Sequence, residues 1–377
     1  MLFHINKKKI EEIIHTLINY TDSSDSFDSN KCFYIKINSD FLHVIANSNS
    51  IAAQIKTKVD ENKIRLEKKG EILINALMLK DVVSKLEGFI TIQEKNNSIL
   101  IYDVYSKFEL SKKQTESFRK VEFDQHNNVF SVESKELKNV IKNASVSPSA
   151  ANENTTDRRL KYINIKGKKE ENKIVLYSTN FSRFSTDSLN VDNVNEFDFL
   201  VDAKSLKKLL PQSAPKDINL FINEDRIGVF YDDIKIFLRV AKEKYLNVDS
   251  LFKLSKYTEV LIEKSEFLSL IQKVYFLSSE QKKIYIELNN ENQMKLNYEV
   301  SEIGKSETIS SSLTVNGPKV KVAFNYVYLH DALQTLNEGL VSAKFVLSND
   351  DENKCTRIIL KSTENDSNIQ IIAALMF

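Results

Sequence analysis

The stretch Ile72-Leu73-Ile74-Asn75-Ala76 recurs as Phe199-Leu200-Val201-Asp202-Ala203 and again as Val322-Ala323-Phe324-Asn325-Tyr326. In each copy, apolar residues precede an Asn or Asp, and a helical apolar pattern follows. An apolar strand that runs into Asn or Asp is typical of a helix start, because this side chain accepts backbone N–H bonds of the first turn. Three copies about 125 residues apart predict an internal repeat.

The length of the chain agrees with three repeated units. At 377 residues and 43.4 kDa, a typical domain size of about 100–200 residues predicts two or three domains. The repeat favours three, and we place them at residues 1–125, 126–254 and 255–377. With 42% hydrophobic and 28% charged residues, the composition is that of a globular protein.

Each third shows the same order of hydrophobic patterns. A short strand leads into an amphipathic helix, several strands of period two follow, and the capped helix leads into further strands. The predicted strands include Val121–Phe123 and one long strand over 306–315. We therefore predict an α+β fold of three tandem units, each with two helices packed on antiparallel sheets.

Lysines lie opposite the apolar stripes of the predicted helices. The formal net charge is only +1, so the distribution of charge matters more than its total. The basic residues on these outward faces are Lys8, Lys80, Lys85, Lys135, Lys138, Lys142, Lys204, Lys207, Lys208, Lys264, Lys273 and His330. Such faces are either ordinary solvated surface in a lysine-rich chain or a surface that follows a phosphate backbone. Aromatic residues are not interleaved with them, so base readout is not indicated.

The sequence carries no recognisable catalytic or cofactor motif. It lacks a P-loop, GxGxxG, GxSxG and HExxH, and we predict neither catalytic residues, a metal site nor a cofactor. Cys32 and Cys355 are far apart and form no CxxC motif, which is typical of a reducing compartment. We find no signal peptide and no apolar run of about 18 residues, so we expect a cytoplasmic protein without a membrane partner.

The chain resembles the bacterial DNA polymerase III beta subunit, the DNA sliding clamp. The resemblance rests on the order and spacing of the repeats over the whole chain. Locally, Thr179-Asn180-Phe181-Ser182-Arg183-Phe184 is similar to the family's Thr-Asp-Gly-His-Arg-Leu segment. The apolar end Ile371–Phe377 is similar to the family's C-terminal tail, and Tyr245–Val248 stands where clamps usually carry Phe-Pro-Asp-Tyr.

The resemblance implies a non-catalytic ring around duplex DNA. Two subunits would join head to tail, with the helices lining the hole, and the ring would tether the polymerase and confer processivity. Arg158, Arg159 and Lys161 fall where the family touches DNA. The strand around Phe108 and Leu110 would meet Phe276 and Leu277 of the second subunit. The implied partners are double-stranded DNA, the DNA polymerase III alpha subunit, the clamp loader and other proteins that carry a clamp-binding motif.

The resemblance also implies a pocket between the second and third domains that binds a short apolar peptide of these partners. Carried over position by position, the pocket consists of Tyr162, Thr179, Phe181, Arg183, Phe184, Leu246, Ser250, Leu251, Ile371, Ala373, Leu375 and Met376. Phe181 replaces a glycine, Ser182 a histidine, Leu246 a proline and Met376 an arginine of the family pattern. We therefore expect a pocket of altered shape.

Two other functions fit the residues alone. One is an open-groove protein that binds DNA without sequence specificity and forms no ring. The other is an enzyme whose site is assembled from residues that match no motif. Release of the protein from the ends of linear DNA, with retention on circles, distinguishes a ring from a groove.

Overall fold

A computed structural model describes residues 1–124, 127–150, 153–254, 256–276, 282–289, 291–300, 304–349, 351 and 354–375. The chain divides into two compact units. The first comprises Met1–Ser134 with Lys204–Ala241, and the second comprises Lys135–Ala203 with Lys242–Phe377. Each unit contains two antiparallel sheets.

The secondary-structure elements follow the predicted order through the first third of the chain. They are β1 Leu2–Asn6, α1 Lys7–Leu17, β2 Cys32–Ile37, β3 Phe41–Asn47, β4 Ile51–Lys58, β5 Ile64–Lys68, β6 Gly70–Asn75, α2 Ala76–Ser84, β7 Phe89–Glu94, β8 Ser98–Tyr102 and β9 Lys107–Ser111. We call this series the first repeat. Residues 112–124, which follow it, form the first linker.

The second repeat has the same series without a counterpart of β5. Its elements are β10 Val129–Glu133, α3 Ser134–Ala144, β11 Tyr162–Lys168, β12 Lys173–Thr179, β13 Arg183–Asn190, β14 Phe197–Asp202, α4 Ala203–Leu206, β15 Asp217–Ile222, β16 Arg226–Tyr231 and β17 Ile234–Arg239. Residues 242–254, which follow it, form the second linker.

The third repeat restores the full series. Its elements are β18 Tyr257–Glu263, α5 Lys264–Val274, β19 Lys283–Leu288, β20 Met294–Val300, β21 Gly304–Ser310, β22 Leu313–Asn316, β23 Val320–Asn325, α6 Tyr326–Thr335, β24 Leu340–Leu347, β25 Cys355–Ser362 and β26 Ile369–Ala373.

Strand pairing repeats together with the element order. The strand before the first helix pairs with the strand after the second helix in all three repeats: β1 with β7, β10 with β15, and β18 with β24. The strand after the first helix likewise pairs with the strand before the second: β2 with β6, β11 with β14, and β19 with β23. The same pleated scaffold therefore occurs three times, as the sequence predicts. The domain boundaries assigned above remain a prediction.

The helix starts repeat at the level of single hydrogen bonds. The N–H of the first residue of α1, α3 and α5 donates to the carbonyl just before the paired strand: Lys7 to Gly88 at 2.9 Å, Ser134 to Lys216 at 2.7 Å, and Lys264 to Gly339 at 2.9 Å. These bonds satisfy one of the N–H groups that a helix start leaves without an intrahelical partner. They also fix each helix to the end of its strand pair.

Asn caps provide the second constraint on the helices. The Asn75 side chain accepts from the Met78 N–H, and the Asn325 side chain accepts from the N–H groups of Val327 and Tyr328. Asn6 caps α1 in the same manner through the Lys8 N–H. The recurring Asn in the sequence therefore has the function that its position predicts.

Two strand junctions join elements of successive repeats. In the first unit, β4 pairs with β17 and completes an eight-stranded sheet in the order β10-β15-β16-β17-β4-β3-β2-β6. In the second unit, β13 pairs with β26 in a nine-stranded sheet in the order β14-β11-β12-β13-β26-β25-β24-β18-β22. The remaining sheets are β5-β1-β7-β8-β9 and β21-β20-β19-β23, so β9 and β21 lie at sheet edges.

The structure corrects four local predictions. Val121–Phe123 is not a strand, although Phe123 is buried against the eight-stranded sheet. Residues 306–315 form two strands, β21 and β22, which belong to different sheets. α4 is a single turn, so Lys207 and Lys208 lie in the turn that follows it. Lys264 is buried, because its Nζ donates to the Leu336 carbonyl and pairs with Glu338, each at 2.7 Å.

The Asn caps give a direct test of the repeat. Asn325→Ala should lower the free energy of unfolding by about 1 kcal/mol, because two first-turn N–H groups lose their acceptor. Asn325→Asp keeps an acceptor at the same place and should retain most of the stability. Urea unfolding followed by circular dichroism measures both. Equal losses in the two variants would show that the cap does not stabilise the helix.

Candidate DNA-facing helices and peptide pocket

The predicted basic residues of α3 are accessible. Lys135 and Lys142 are exposed and Lys138 is half-buried, on the side of the helix away from Leu137, Val140 and Ile141. These lysines belong to the second unit. They form one basic helix face, as the periodicity predicts.

The lysines that follow Asp202 belong to the first unit. Lys204 and Lys207 are exposed, whereas the half-buried Lys208 donates to the Asn19 carbonyl at 2.9 Å. Lys204 and Lys208 also help to hold the pKa of Asp22 below its ordinary value, after the hydrogen bond from Ser24. Part of this positive charge is therefore balanced by the acidic loop at 21–30.

The remaining predicted DNA contacts differ in their surroundings. Lys8, Lys80 and Lys273 are exposed on α1, α2 and α5. Arg158 pairs with Glu243, and Arg159 pairs with Asp157 at 2.7 Å and donates to the Lys244 carbonyl at 3.1 Å. Lys161 is half-buried at the end of the same short 3₁₀ turn. Both arginines are thus fixed by neighbours of opposite charge, which reduces the charge that they offer to a phosphate.

A cluster of apolar side chains surrounds Phe184 in the second unit. Buried Phe184, Val346, Ile359 and Ile371 form its centre, and half-buried residues pack against it. The packed residues are Tyr177, Val248, Leu251, Tyr257 and Ile369. We call this group the Phe184 cluster. Strand register brings it together, because Phe184 lies opposite Thr179 on β12 and opposite Ile371 on β26.

The turn before Phe184 is held in an uncommon backbone conformation. Phe181 has a φ of +71°, and its side chain is 67% exposed. The Phe181 N–H donates to Thr179 Oγ1 at 3.0 Å, and the Thr179 hydroxyl donates to the Arg183 carbonyl at 2.8 Å. A left-handed φ is unfavourable for a bulky residue. These hydrogen bonds hold a strained turn that presents an aromatic ring where the family pattern has glycine.

Arg183 connects this turn to α6. Its guanidinium pairs with Asp331 at 3.0 Å and lies 4.3 Å from the centre of the Tyr328 ring. The Arg183 side chain is only 15% exposed, and its Nε has no hydrogen-bond partner among the described residues. The cation–π contact and the ion pair together compensate for the loss of water around the charge.

The structure brings most of the predicted pocket residues to this region. Thr179, Phe184 and Ile371 are buried, Leu251 packs on the cluster, and the Ala373 N–H donates to the Ser182 carbonyl at 2.9 Å. Tyr162 starts β11, Leu246 and exposed Ser250 lie in the second linker, and the Leu375 N–H donates to the Ala323 carbonyl at 2.8 Å. Met376 lies outside the described residues.

Sequence reasoning missed several residues of this region, among them Tyr177, Tyr245, Phe252, Val346 and Ile359. Tyr177 shares a strand face with Thr179, so period two could have found it. Tyr245 is buried, its hydroxyl accepts from the Thr179 N–H at 3.1 Å, and burial raises its pKa above the ordinary value. Val346 and Ile359 come from strands distant in sequence, and no local pattern indicates them.

The predicted subunit contacts occupy two places. Phe108 and Leu110 are half-buried on the edge strand β9. Phe276 follows α5 and packs edge-to-face on Tyr298 at 4.9 Å. Leu277 lies outside the described residues. Exposed Ile309 lies on the edge strand β21, next to β20.

The described part of the chain contains no group of three or more His, Cys, Asp or Glu side chains that could hold a metal ion. Within the same ranges, no helix has the length and apolar character needed to cross a membrane.

Comparisons with known proteins agree with this architecture. A family model described as DNA polymerase III beta subunit, C-terminal domain, matches residues 250–375. The chain is 24% identical over 382 residues to the beta sliding clamp of Mycoplasmopsis pulmonis, covering 100% of this chain and 99% of that protein. It is 23% identical over 330 residues to the beta sliding clamp of Staphylococcus aureus, covering 86% and 85%.

Solved structures show the same fold over the full length. The DNA polymerase sliding clamp of Bacillus subtilis superposes with a TM-score of 0.91 at 17% identity, covering 100% of this chain and 99% of that chain. The DNA polymerase III beta chain of Streptococcus pneumoniae gives a TM-score of 0.89 at 18% identity, with both chains covered completely. The chain is therefore similar to bacterial beta sliding clamps over its whole length, and its residues 250–375 match the C-terminal domain of the DNA polymerase III beta subunit.

The Arg183–Asp331 pair provides a test of how the turn is held. Asp331→Asn should lower the free energy of unfolding by about 1–2 kcal/mol, because it leaves a largely buried guanidinium without its counterion. Arg183→Met should cost less, since the Asp331 side chain is 38% exposed and can be hydrated. Urea unfolding measures both effects.

Asp366→Asn is the matched control for this comparison. Asp366 pairs with Lys361, and its side chain is 81% exposed, so its loss should change stability by less than about 0.5 kcal/mol. If Asp331→Asn behaved like this control, the pair would not hold the turn.

Proposed function

We propose that two copies of this chain close into a ring around duplex DNA and act as a processivity clamp for the replicative polymerase. The observation that carries the proposal is that β9 and β21 both lie at sheet edges in the described part of the chain, whereas the corresponding strands of the other repeats are paired. β17 and β26, the last strands of the second and third repeats, pair with β4 and β13. In the third repeat, the strand that corresponds to β4 and β13 is β21. By the same rule, β9, the last strand of the first repeat, should pair with β21 of a second copy.

The repeat also defines the register of this contact. Ile51, the first residue of β4, lies opposite Leu238, the penultimate residue of β17. Arg183, the first residue of β13, lies opposite Ile372, the penultimate residue of β26. The equivalent pair at the open edges is Gly304 of β21 opposite Leu110 of a second copy. We infer that Glu109 then lies opposite Lys305, Phe108 opposite Ser306, and Lys107 opposite Glu307.

Side-chain chemistry supports this register. Lys305 and Glu307 are exposed and pair within the sheet with Glu299 and Lys295, each at 2.6 Å. Glu109 and Lys107 of the second copy would extend these two rows with alternating charge. Opposite charges directly across an antiparallel pair are favourable, whereas like charges are not. The same register carries Tyr105, which is 86% exposed, toward Ile309, which is 54% exposed.

A closed ring explains how a chain with a net charge of +1 can stay on DNA. Topological linkage prevents dissociation without tight binding. Weak phosphate contacts from Lys135, Lys138, Lys142 and Lys204 then permit sliding, with Lys8, Lys80 and Lys273 as contacts from the other helices. In this proposal the six helices line the hole. The ring tethers the polymerase by raising its effective concentration at the primer end.

The Phe184 cluster is proposed as the docking site for a short apolar peptide of the polymerase alpha subunit, the clamp loader and other partners. Buried Phe184 and Ile371 form an apolar floor, and exposed Phe181 stands at its rim. Leu and Phe anchors of a peptide fit such a surface. Opening and loading of the ring require a loader supplied in trans.

A charge swap tests the ring contact. Lys107→Glu should weaken dimerisation roughly tenfold, because it places like charges opposite Glu307 at both interfaces of a two-fold ring. Adding Glu307→Lys to the same chain should restore most of the affinity. Sedimentation equilibrium measures the dissociation constant between the 43.4 kDa chain and a particle of twice that mass.

Lys68→Glu is the matched control, since Lys68 is exposed on β5 at the opposite edge of the same sheet. It should leave the dimer unchanged. A double variant as weak as Lys107→Glu alone would exclude the proposed register. A chain that remains monomeric at all concentrations would exclude the ring.

Retention on DNA tests the basic helices. Changing Lys135, Lys138, Lys142 and Lys204 together to Glu should strongly reduce loading onto nicked circular DNA by the cognate loader and ATP, because phosphate attraction becomes repulsion. A control with Lys58, Lys68, Lys69 and Lys169 changed to Glu makes the same charge difference at exposed positions elsewhere. The unaltered ring should leave linearised DNA quickly and remain on circles. Equal retention on both would favour the open-groove alternative.

A further inference from the structure

The second linker places one of its own side chains against the Phe184 cluster. Phe252 ends the 3₁₀ turn Asp249–Phe252, and its ring meets that of Phe184 edge-to-face, at a centroid distance of 5.4 Å and an interplanar angle of 88°. Phe184 is 2% exposed, whereas Phe252 is 37% exposed. Phe252 therefore covers an apolar floor without being enclosed itself.

The first unit contains a similar arrangement, in which the phenylalanine of the linker is buried. Phe123 of the first linker packs on Phe237 at 5.1 Å and is only 5% exposed. Phe237 lies opposite Ala52 on β4, as Ile371 lies opposite Phe184 on β13. Each linker thus packs a phenylalanine on its strand junction, Phe123 on β17 and Phe252 on β13. At the first junction the residue is buried, and at the second it is only partly so.

The backbone around Phe252 is held on both sides. Before it, the buried Tyr245 hydroxyl accepts from the Thr179 N–H at 3.1 Å. After it, Arg357 Nη2 donates to the Lys253 carbonyl at 2.5 Å. Displacement of the Phe252 ring therefore requires only a change of side-chain rotamer, which for a partly exposed residue is fast and needs little energy.

We infer that Phe252 is an intramolecular gate of the peptide pocket. In the free protein its ring occupies the apolar position above Phe184, and an incoming apolar anchor of a partner peptide must displace it. The favourable free energy of peptide binding then equals that of the new contact with Phe184, reduced by that of the contact that Phe252 loses. This inference rests on the proposed function of the pocket and adds that the chain competes with its own partners.

The gate differs from a pocket wall in a measurable way. A wall residue contributes contact area to the bound peptide, so its removal weakens binding. A gate residue contributes only to the free state, so its removal strengthens binding. An edge-to-face aromatic pair of ordinary strength corresponds to a change in affinity of roughly threefold to tenfold.

The experiment compares Phe252→Ala with Leu254→Ala in the full-length protein. Leu254 is a second exposed apolar residue of the same linker and serves as the matched control. The probe is a fluorescein-labelled heptapeptide, Gly-Ser-Leu-Ser-Leu-Phe-Gly, whose binding is followed by fluorescence polarisation. We expect Phe252→Ala to bind the probe about threefold to tenfold more tightly than the unaltered protein, and Leu254→Ala to bind it equally.

A tryptophan at position 252 provides a second measurement. The chain contains no tryptophan, so Phe252→Trp gives a single emission signal. If the ring is displaced into water, saturation with the heptapeptide should shift the emission to the red. A blue shift, or weaker binding by Phe252→Ala, would overturn the gate and make Phe252 a wall of a functioning pocket. If neither the unaltered protein nor any variant binds the probe, the peptide pocket of the proposed function is refuted together with its gate.

Discussion

Backbone hydrogen bonding at strand edges is the constraint on which the rest of this structure depends. Every edge strand exposes N–H and C=O groups that can pair with another strand. Within the chain, two ladders between successive repeats pair such groups: β4 with β17, and β13 with β26. Both ladders use the same register. The edge strands β9 and β21 belong to two different sheets, and their side chains carry complementary charges. In the proposed ring, assembly therefore follows from the repeat and does not require a separate interface.

The divergence of the sequence is tolerated because this constraint lies in the backbone. Bonds such as Lys7 to Gly88 and Lys264 to Gly339 need no particular side chain. Identity near 20% with curated relatives is therefore compatible with a TM-score of 0.91 to a solved clamp. One departure from the family pattern, Phe181 in place of a glycine, lies beside the Phe184 cluster. There, Phe181 and Phe252 add exposed aromatic rings to the surface that is proposed to bind partners.

Much of the candidate site could be predicted from sequence, and the exceptions have a common cause. The exposed positions of Lys135 and Lys142 follow from helical periodicity, because a helix face is a property of one segment. Two of the wrong predictions concern tertiary contacts. Lys264 has an outward position by periodicity, yet it is buried because the Leu336 carbonyl and Glu338 offer it acceptors. The 306–315 stretch alternates like one strand, but its two halves find partners in different sheets.

The sequence by itself determined the order of elements, the Asn caps, the threefold repetition and the apolar faces, since each depends on neighbours within a few positions along the chain. Only the tertiary structure decided which strands join successive repeats, that Phe181 adopts a left-handed φ, and that Phe252 lies on Phe184. These features arise between residues distant in sequence. There, the choice among many apolar partners is made by register and packing, which no local pattern encodes.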